Sequence, residues 1–269
     1  AVAGQYDAGE PFSRALPAVP PALPGWTGLR LGVPRATDLA FFGNPHTPAL
    51  FEAAKRRCAD LGATLVEIDL TPFLEAARLL YEGPWVAERT AAVGDFLKAN
   101  PGAGHPVVRG IVEGGWKFDA IASFRAQYRL RELAQEARKA WSTVDAMLTP
   151  TAGTIHRIAD VEADPVRLNS QLGYYTNFMN LFDLAAVAIP AGFQPDGLPF
   201  GVTLFAPAFT DASLLALGAA LHEAAGLTMG ATGKTLPKSR LPLPAGERIE
   251  LAVFGAHMSG LPLSGELLA

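Results

Sequence analysis

The chain has 269 residues, of which 49% are hydrophobic and 18% charged. That balance buries a sizeable core and excludes disorder as the dominant state, because disordered chains are poor in apolar residues and rich in charge. A net charge of -4, only six lysines and no basic cluster exclude an electrostatic footprint for nucleic acid.

Cys58 is the single cysteine, which excludes an internal disulfide and a multi-cysteine metal site and fits a reducing, cytoplasmic compartment. The most apolar stretch, residues 184–210, is broken by Pro190, Pro195, Pro199 and Pro207 far below the ~20 helical residues a bilayer span needs. No membrane partner is expected. The chain starts Ala1-Val2-Ala3-Gly4 without a Met and stops at Leu267-Leu268-Ala269, just after a new apolar strand has begun. Both ends read as cuts through a longer polypeptide.

Residues 7–28 are turn-rich and read as a connecting loop with Pro11, Pro17, Pro20, Pro21 and Pro24. Leu29–Val33 is a short apolar strand candidate. Thr47 offers an N-cap with Pro48 at N1. Leu50, Phe51, Ala54, Cys58 and Leu61 then fall at helical spacing, and Gly62 closes the helix. With Thr64–Ile68 as the next strand, this predicts a parallel strand–helix–strand unit with Cys58 on the inward face. Residues 72–99 read as helix in two pieces, interrupted at Gly83-Pro84. Residues 119–141 read as a long amphipathic helix with Ile121, Phe124, Tyr128 and Trp141 on one side. A buried strand over 144–150, a helix over Gln171–Phe182, and strands over Ala185–Ile189 and Val202–Phe205 follow. The turn Gln194-Pro195-Asp196-Gly197 separates the last two strands. Asp211 caps a helix running to about Ala225, and from Met229 the composition is that of a linker.

Few residues announce chemistry. His46, His105, His156, His222 and His257 contain no i+2 or i+4 pair, so no metal site is expected. There is no phosphate-cradling glycine loop, no Gly-x-Ser-x-Gly elbow and no Ser-Ser pair. Arg89 stands out by its surroundings. Its helical neighbours at i-4, i-3, i+3 and i+4 are Trp85, Val86, Ala92 and Val93, so no local acid pairs with it. Such an arginine snorkels, meets a distant carboxylate or binds an anionic ligand. Tyr81 lies just before the Gly83-Pro84 break, and a kinked helix aims both side chains into one pocket.

Several motifs resemble the amidase signature family. They are Asp145-Ala146-Met147-Leu148-Thr149-Pro150-Thr151, Tyr175-Thr176-Asn177 with Asn180-Leu181, Ile189-Pro190-Ala191-Gly192-Phe193 and Asp196-Gly197-Leu198-Pro199-Phe200-Gly201-Val202. Leu214-Leu215 and Glu223 close the match, which covers about residues 1–228. Tyr81-Glu82-Gly83-Pro84-Trp85-Val86-Ala87-Glu88-Arg89 is most similar to the allophanate-hydrolysing branch of that family.

The resemblance implies an α/β fold with a mixed central sheet flanked by helices, of which only the C-terminal half is present. It implies amide hydrolysis by a Ser nucleophile, a bridging Ser and a Lys base, with backbone N–H groups holding the oxyanion and no cofactor. None of that triad matches a residue of this chain, so no catalytic residue is assigned and the chain alone is expected to be inactive. Tyr81 and Arg89 match the substrate-binding positions, and the implied substrate is a small anionic amide, allophanate, split to ammonia and carbon dioxide in urea degradation. A homodimer and an association with urea carboxylase are compatible with the resemblance. Residues 229–247 are expected to be a linker and 248–269 the start of a truncated C-terminal domain. Two other readings stay open: another amidase or a subunit of the tRNA-dependent amidotransferase, and a non-catalytic anion-binding module.

Overall fold

A computed structural model of the chain describes residues 6–236. The strand–helix–strand unit forms as its periodicity predicts. Strand β1 (Arg30–Pro34) lies parallel to β2 (Thr64–Ile68), with Arg30 opposite Thr64 and Pro34 opposite Ile68. Helix α1 (Thr47–Asp60) makes the crossover, and Gly62 at φ 111° turns the chain back toward β2. Thr47 is the first helical residue, not the cap. Asn44 Oδ1 accepts from the N–H groups of His46 and Thr47, while the Thr47 hydroxyl donates to the Gly153 carbonyl at 2.8 Å.

Four helices follow: α2 (Thr71–Leu79), α3 (Val86–Ala99), α4 (Pro106–Glu113) and α5 (Ala120–Trp141). Strand β3 (Ala146–Pro150) then pairs parallel to the free side of β1. Short helices α6 (Ile158–Ala163), α7 (Pro165–Leu172) and α8 (Phe178–Leu181) lead into the hairpin of β4 (Leu184–Phe193) and β5 (Pro199–Pro207). Helix α9 (Asp211–Ala224) follows. The five strands form one mixed sheet, in the order β2-β1-β3-β5-β4, with β5 antiparallel to both neighbours.

The two-residue period of the strands divides the core in two. Leu31, Ala146, Leu148, Val202 and Leu204 point to a layer closed by Phe51, Ala54 and Cys58 of α1 and by Leu214, Leu217 and Leu221 of α9. Met147 and Phe205 point to the other layer, closed by Phe73 and Ala76 of α2, Leu133 and Ala137 of α5, Tyr175 and Phe178. Phe73 sits among aromatic rings there, edge-on to Phe178, Phe182 and Phe205 at 5.3, 5.5 and 6.4 Å.

Two further expectations are corrected. In α5, Ile121, Phe124 and Tyr128 face solvent at 60%, 54% and 64% exposure, and the buried residues are Ala126, Leu133 and Ala137. At about 100° per residue the two sets lie on opposite faces of the helix. Trp141 belongs with the buried set and packs on Phe73 and Phe205. The residue that packs closely is small here, so side-chain size misled the choice of face. The helix expected over Gln171–Phe182 is interrupted between α7 and α8. Gly173 packs so tightly on Asn177 that an added Cβ would fall 2.5 Å from its amide. The turns between the two helices bury Tyr175, whose hydroxyl accepts from Ala40 N–H at 2.7 Å and donates to Ala40 C=O at 3.0 Å. At the start of the expected linker, Thr228 and Thr235 form a bridge around a 3-10 turn at Gly230–Thr232. The rest of that linker and residues 248–269 lie outside the described residues.

The β1–β3 seam is fixed by Asp145. Its carboxylate accepts from the Arg30 backbone N–H at 2.8 Å and from the Arg30 guanidinium at 2.6 Å. These bonds hold the carboxyl below the usual carboxylate range against the opposing effect of burial. The unfolded chain therefore takes up this proton first as pH falls. The contribution is whole above the unfolded value near 3.8 and is lost as pH drops through the folded value. Chemical unfolding followed between about pH 2 and 6 should show a stability loss that Asp145→Asn flattens. Phe73→Ala should cost about 3–5 kcal/mol by the same measurement, because it opens a cavity between two helices and the sheet; a loss below ~1 kcal/mol would contradict this packing.

Candidate substrate-binding site

The break expected at Gly83-Pro84 builds the site. Helix α2 ends at Leu79, and its last turn is closed by Gly83 N–H donating to the Leu79 carbonyl at 3.2 Å. A Cβ at Gly83 would lie 2.6 Å from that carbonyl oxygen, so only glycine fits the close approach. Pro84 brings no N–H to satisfy, and its carbonyl accepts from Ala87 as α3 begins. The chain turns between Tyr81 at the end of one helix and Arg89 in the first turns of the next.

The two expected residues do come together. The Arg89 guanidinium carbon lies 4.7 Å from the centroid of the Tyr81 ring, a cation–π stack. Tyr81 is 38% exposed and Arg89 is half-buried. Arg89 differs from the other half-buried arginines. Arg35 pairs with Asp38, Arg109 with Glu113 and Arg129 with Glu75, at 2.8 to 3.1 Å, and Arg57 donates to the Ala191 carbonyl. Among the described residues Arg89 has neither a carboxylate nor a carbonyl partner, only the ring. Its guanidinium donors are therefore uncommitted.

Tyr81 also lines a cavity of about 560 Å³ between α2 and α7. Arg78, Ser170, Tyr174 and Asn177 share its wall, and Arg167 there is held by Asp164 at 2.6 Å. Arg89 does not line this cavity, which corrects the expectation that both side chains point into one pocket. Burial pushes the Tyr174 phenol above its ordinary range, so it is a protonated donor at neutral pH. Nothing in the sequence marks Arg78 or Tyr174 as a ligand, and Asn177 is marked only by its place in the Tyr175-Thr176-Asn177 motif.

A second polar cluster sits where β3 leaves the sheet. Thr151 and Thr203 share a hydrogen bond of 2.8 Å, and Asn44 donates to buried Gln194 at 2.9 Å. Thr149 Oγ1 and Gln194 Nε2 are buried there without a hydrogen-bond partner. A neighbouring cavity of about 370 Å³ is lined by Thr47, Thr151, Thr154, Ile155 and Phe200.

Among the described residues no group of three or more His, Cys, Asp or Glu side chains is arranged to hold a metal ion. No helix there is long and apolar enough to cross a membrane. Cys58 lies in the core, and burial pushes its thiol up to about 12, against a small opposing effect of Arg57. It is a packing residue, inert as a nucleophile.

A mixed α/β sheet flanked by helices, with these motifs along it, defines an enzyme domain of the amidase type. The chain belongs to the amidase family, whose model matches residues 12–215. It is 37% identical over 254 residues to the urea amidolyase of Saccharomyces cerevisiae, covering 90% of this chain and 14% of that one. Its fold superposes on the urea amidolyase of Kluyveromyces lactis with a TM-score of 0.84 at 35% identity, covering 98% of this chain and 16% of the other. Against the allophanate hydrolase of Kluyveromyces lactis the TM-score is 0.77, again at 35% identity, covering 95% and 43%. The chain thus spans about one-seventh of the urea amidolyases it matches and less than half of that allophanate hydrolase.

The buried thiol gives a direct check. In the native protein Cys58 should resist iodoacetamide at pH 8, and denaturant should make it react at the rate of a free thiol; prompt native labelling would place it at an open surface instead.

Proposed function

We propose that this chain is the substrate-recognising part of an allophanate hydrolase and that the Ser–Ser–Lys chemistry is supplied by residues outside it. The observation that carries the proposal is the stacking of Arg89 on Tyr81 with its hydrogen-bond donors uncommitted. Allophanate is a small planar anion, and a guanidinium fork matches its carboxylate with two parallel hydrogen bonds. The similarity to an allophanate hydrolase over 95% of the chain supports the same reading. So does β4, an edge strand of the described sheet with no charged residue and with Ala186, Ala188 and Pro190 exposed along one face. Uncharged edges of this length are ordinarily covered. In this reading the product pair is ammonia and carbon dioxide, the setting is urea degradation in the cytoplasm, and urea carboxylase is the associated activity.

The test is kinetic. In the complete enzyme that carries this chain, Arg89→Ala should raise KM and lower kcat/KM by about 10- to 150-fold, the 1.5–3 kcal/mol expected for a lost charged hydrogen bond. An unchanged kcat/KM would reject Arg89 as a ligand. Turnover of glutamine in preference to allophanate would favour the amidotransferase alternative.

A further inference from the structure

Arg89 stands on a helix whose rotation is fixed by the residue beside it. Thr90 is 3% exposed, and its hydroxyl donates to the Val112 carbonyl in the last turn of α4 at 2.5 Å. Its other acceptor within reach, the Val86 carbonyl of its own helix, is farther at 3.2 Å. A hydroxyl carries one proton, and the Val112 carbonyl is the nearer of its two acceptors. The 3-10 turn Gly114–Lys117 closes over the same spot. A Cβ at Gly115 would fall 1.9 Å from Thr90 Oγ1 and 3.0 Å from the Cα of Ala87, so the turn lies against the backbone of α3. One turn on, a Cβ at Gly94 would lie 3.0 Å from Thr90 Cγ2 and 3.1 Å from the Trp116 ring.

We propose that Thr90 is a positioning residue for substrate binding: clamped by Val112 and Gly115, it sets the rotation of α3 and with it the place of the Arg89 guanidinium over Tyr81. Arg89 and Thr90 stand on one helix, so a roll about its axis that moves Thr90 turns Arg89 through the same angle. The stack on Tyr81 alone does not prevent this, because an exposed cation–π contact is weak. The clamp supplies what the stack lacks, a fixed reference for the helix backbone. This inference rests on the reading of Arg89 as a substrate ligand.

The experiment is a double-mutant cycle in the complete enzyme, with allophanate as substrate and KM and kcat read separately. Thr90→Val should raise KM about fivefold, the scale of one lost neutral hydrogen bond, while kcat changes less than about twofold. Thr90→Ser, which keeps the hydroxyl, should restore KM. On an Arg89→Ala background Thr90→Val should raise KM no further, because the residue it positions is gone. Thr90→Ala, which removes the hydroxyl and adds no atom to the packed contact, should reproduce the KM effect if Thr90→Val does not fold. A KM that responds to Arg89→Ala but to neither Thr90→Val nor Thr90→Ala overturns the positioning role and leaves the ligand reading intact. Effects of Thr90→Val and Arg89→Ala that multiply independently overturn it as well. If Arg89→Ala itself leaves KM unchanged, the ligand reading fails first.

Discussion

The packing of Phe73 against the sheet is the contact on which the rest of the site depends. Its ring meets Phe178, Phe182 and Phe205 edge-on, so it joins α2 to β5 and to the segment around α8 at once. Arg129 holds the same helix from the side, gripping Glu75 with two hydrogen bonds of 2.8 and 2.9 Å and thereby tying α5 to α2. The end of α2 carries Tyr81, and the break at Gly83-Pro84 launches α3 with Arg89 from that point. Tyr81 and Arg89 thus form a cantilever. Its root is an aromatic contact in the core, and its tip is set by the clamp around Thr90.

The N-terminal segment braces the other end of this layer. Arg14 makes two hydrogen bonds to Asp183, at 2.6 and 2.7 Å, and lies 4.8 Å over the ring of Phe209. Asp183 and Phe209 are two of the three non-glycine residues with positive φ among the described residues, at 53° and 69°. Such conformations persist where the surroundings over-determine them. One arginine holds both, at the entry to β4 and at the exit from β5. Because Arg14 and Asp183 are each more than half exposed, the pair acts through geometry more than through energy.

Much of this was legible in the sequence where local rules and the tertiary structure agree. The β1–α1–β2 unit follows from periodicity and from Gly62, the hairpin from its Gln194–Gly197 turn, and the helix break from Gly83-Pro84. The face of α5 was not legible, because Ala126 and Ala137 bury themselves by close approach while the larger Ile121, Phe124 and Tyr128 stay outside. Nor was the interruption at Gly173, where the deciding contact is with Asn177 and the purpose is to bury Tyr175 against Ala40. Arg89 was visible as an arginine without a local partner. Its stack on Tyr81 was not, since a turn between two helices has no periodicity from which to project directions. The cavity wall of Arg78, Tyr174 and Asn177 draws on two helices and a turn distant in sequence, which no local pattern connects.

The choice of an aromatic ring as the neighbour of Arg89 has a chemical consequence. A guanidinium is planar, with its N–H donors directed outward in that plane. A carboxylate partner, like the one Arg129 finds in Glu75, engages the fork edge-on and uses the donors an incoming anion would need. A ring below the plane attracts the cation through its face and leaves every N–H free. It also limits the orientations the plane can adopt, which lowers the ordering cost when a planar carboxylate arrives. Among the half-buried arginines described here, Arg35, Arg109 and Arg129 are matched by carboxylates, and Arg89 by a ring. The ring is therefore part of how Arg89 remains both buried enough to be fixed and unpaired enough to bind.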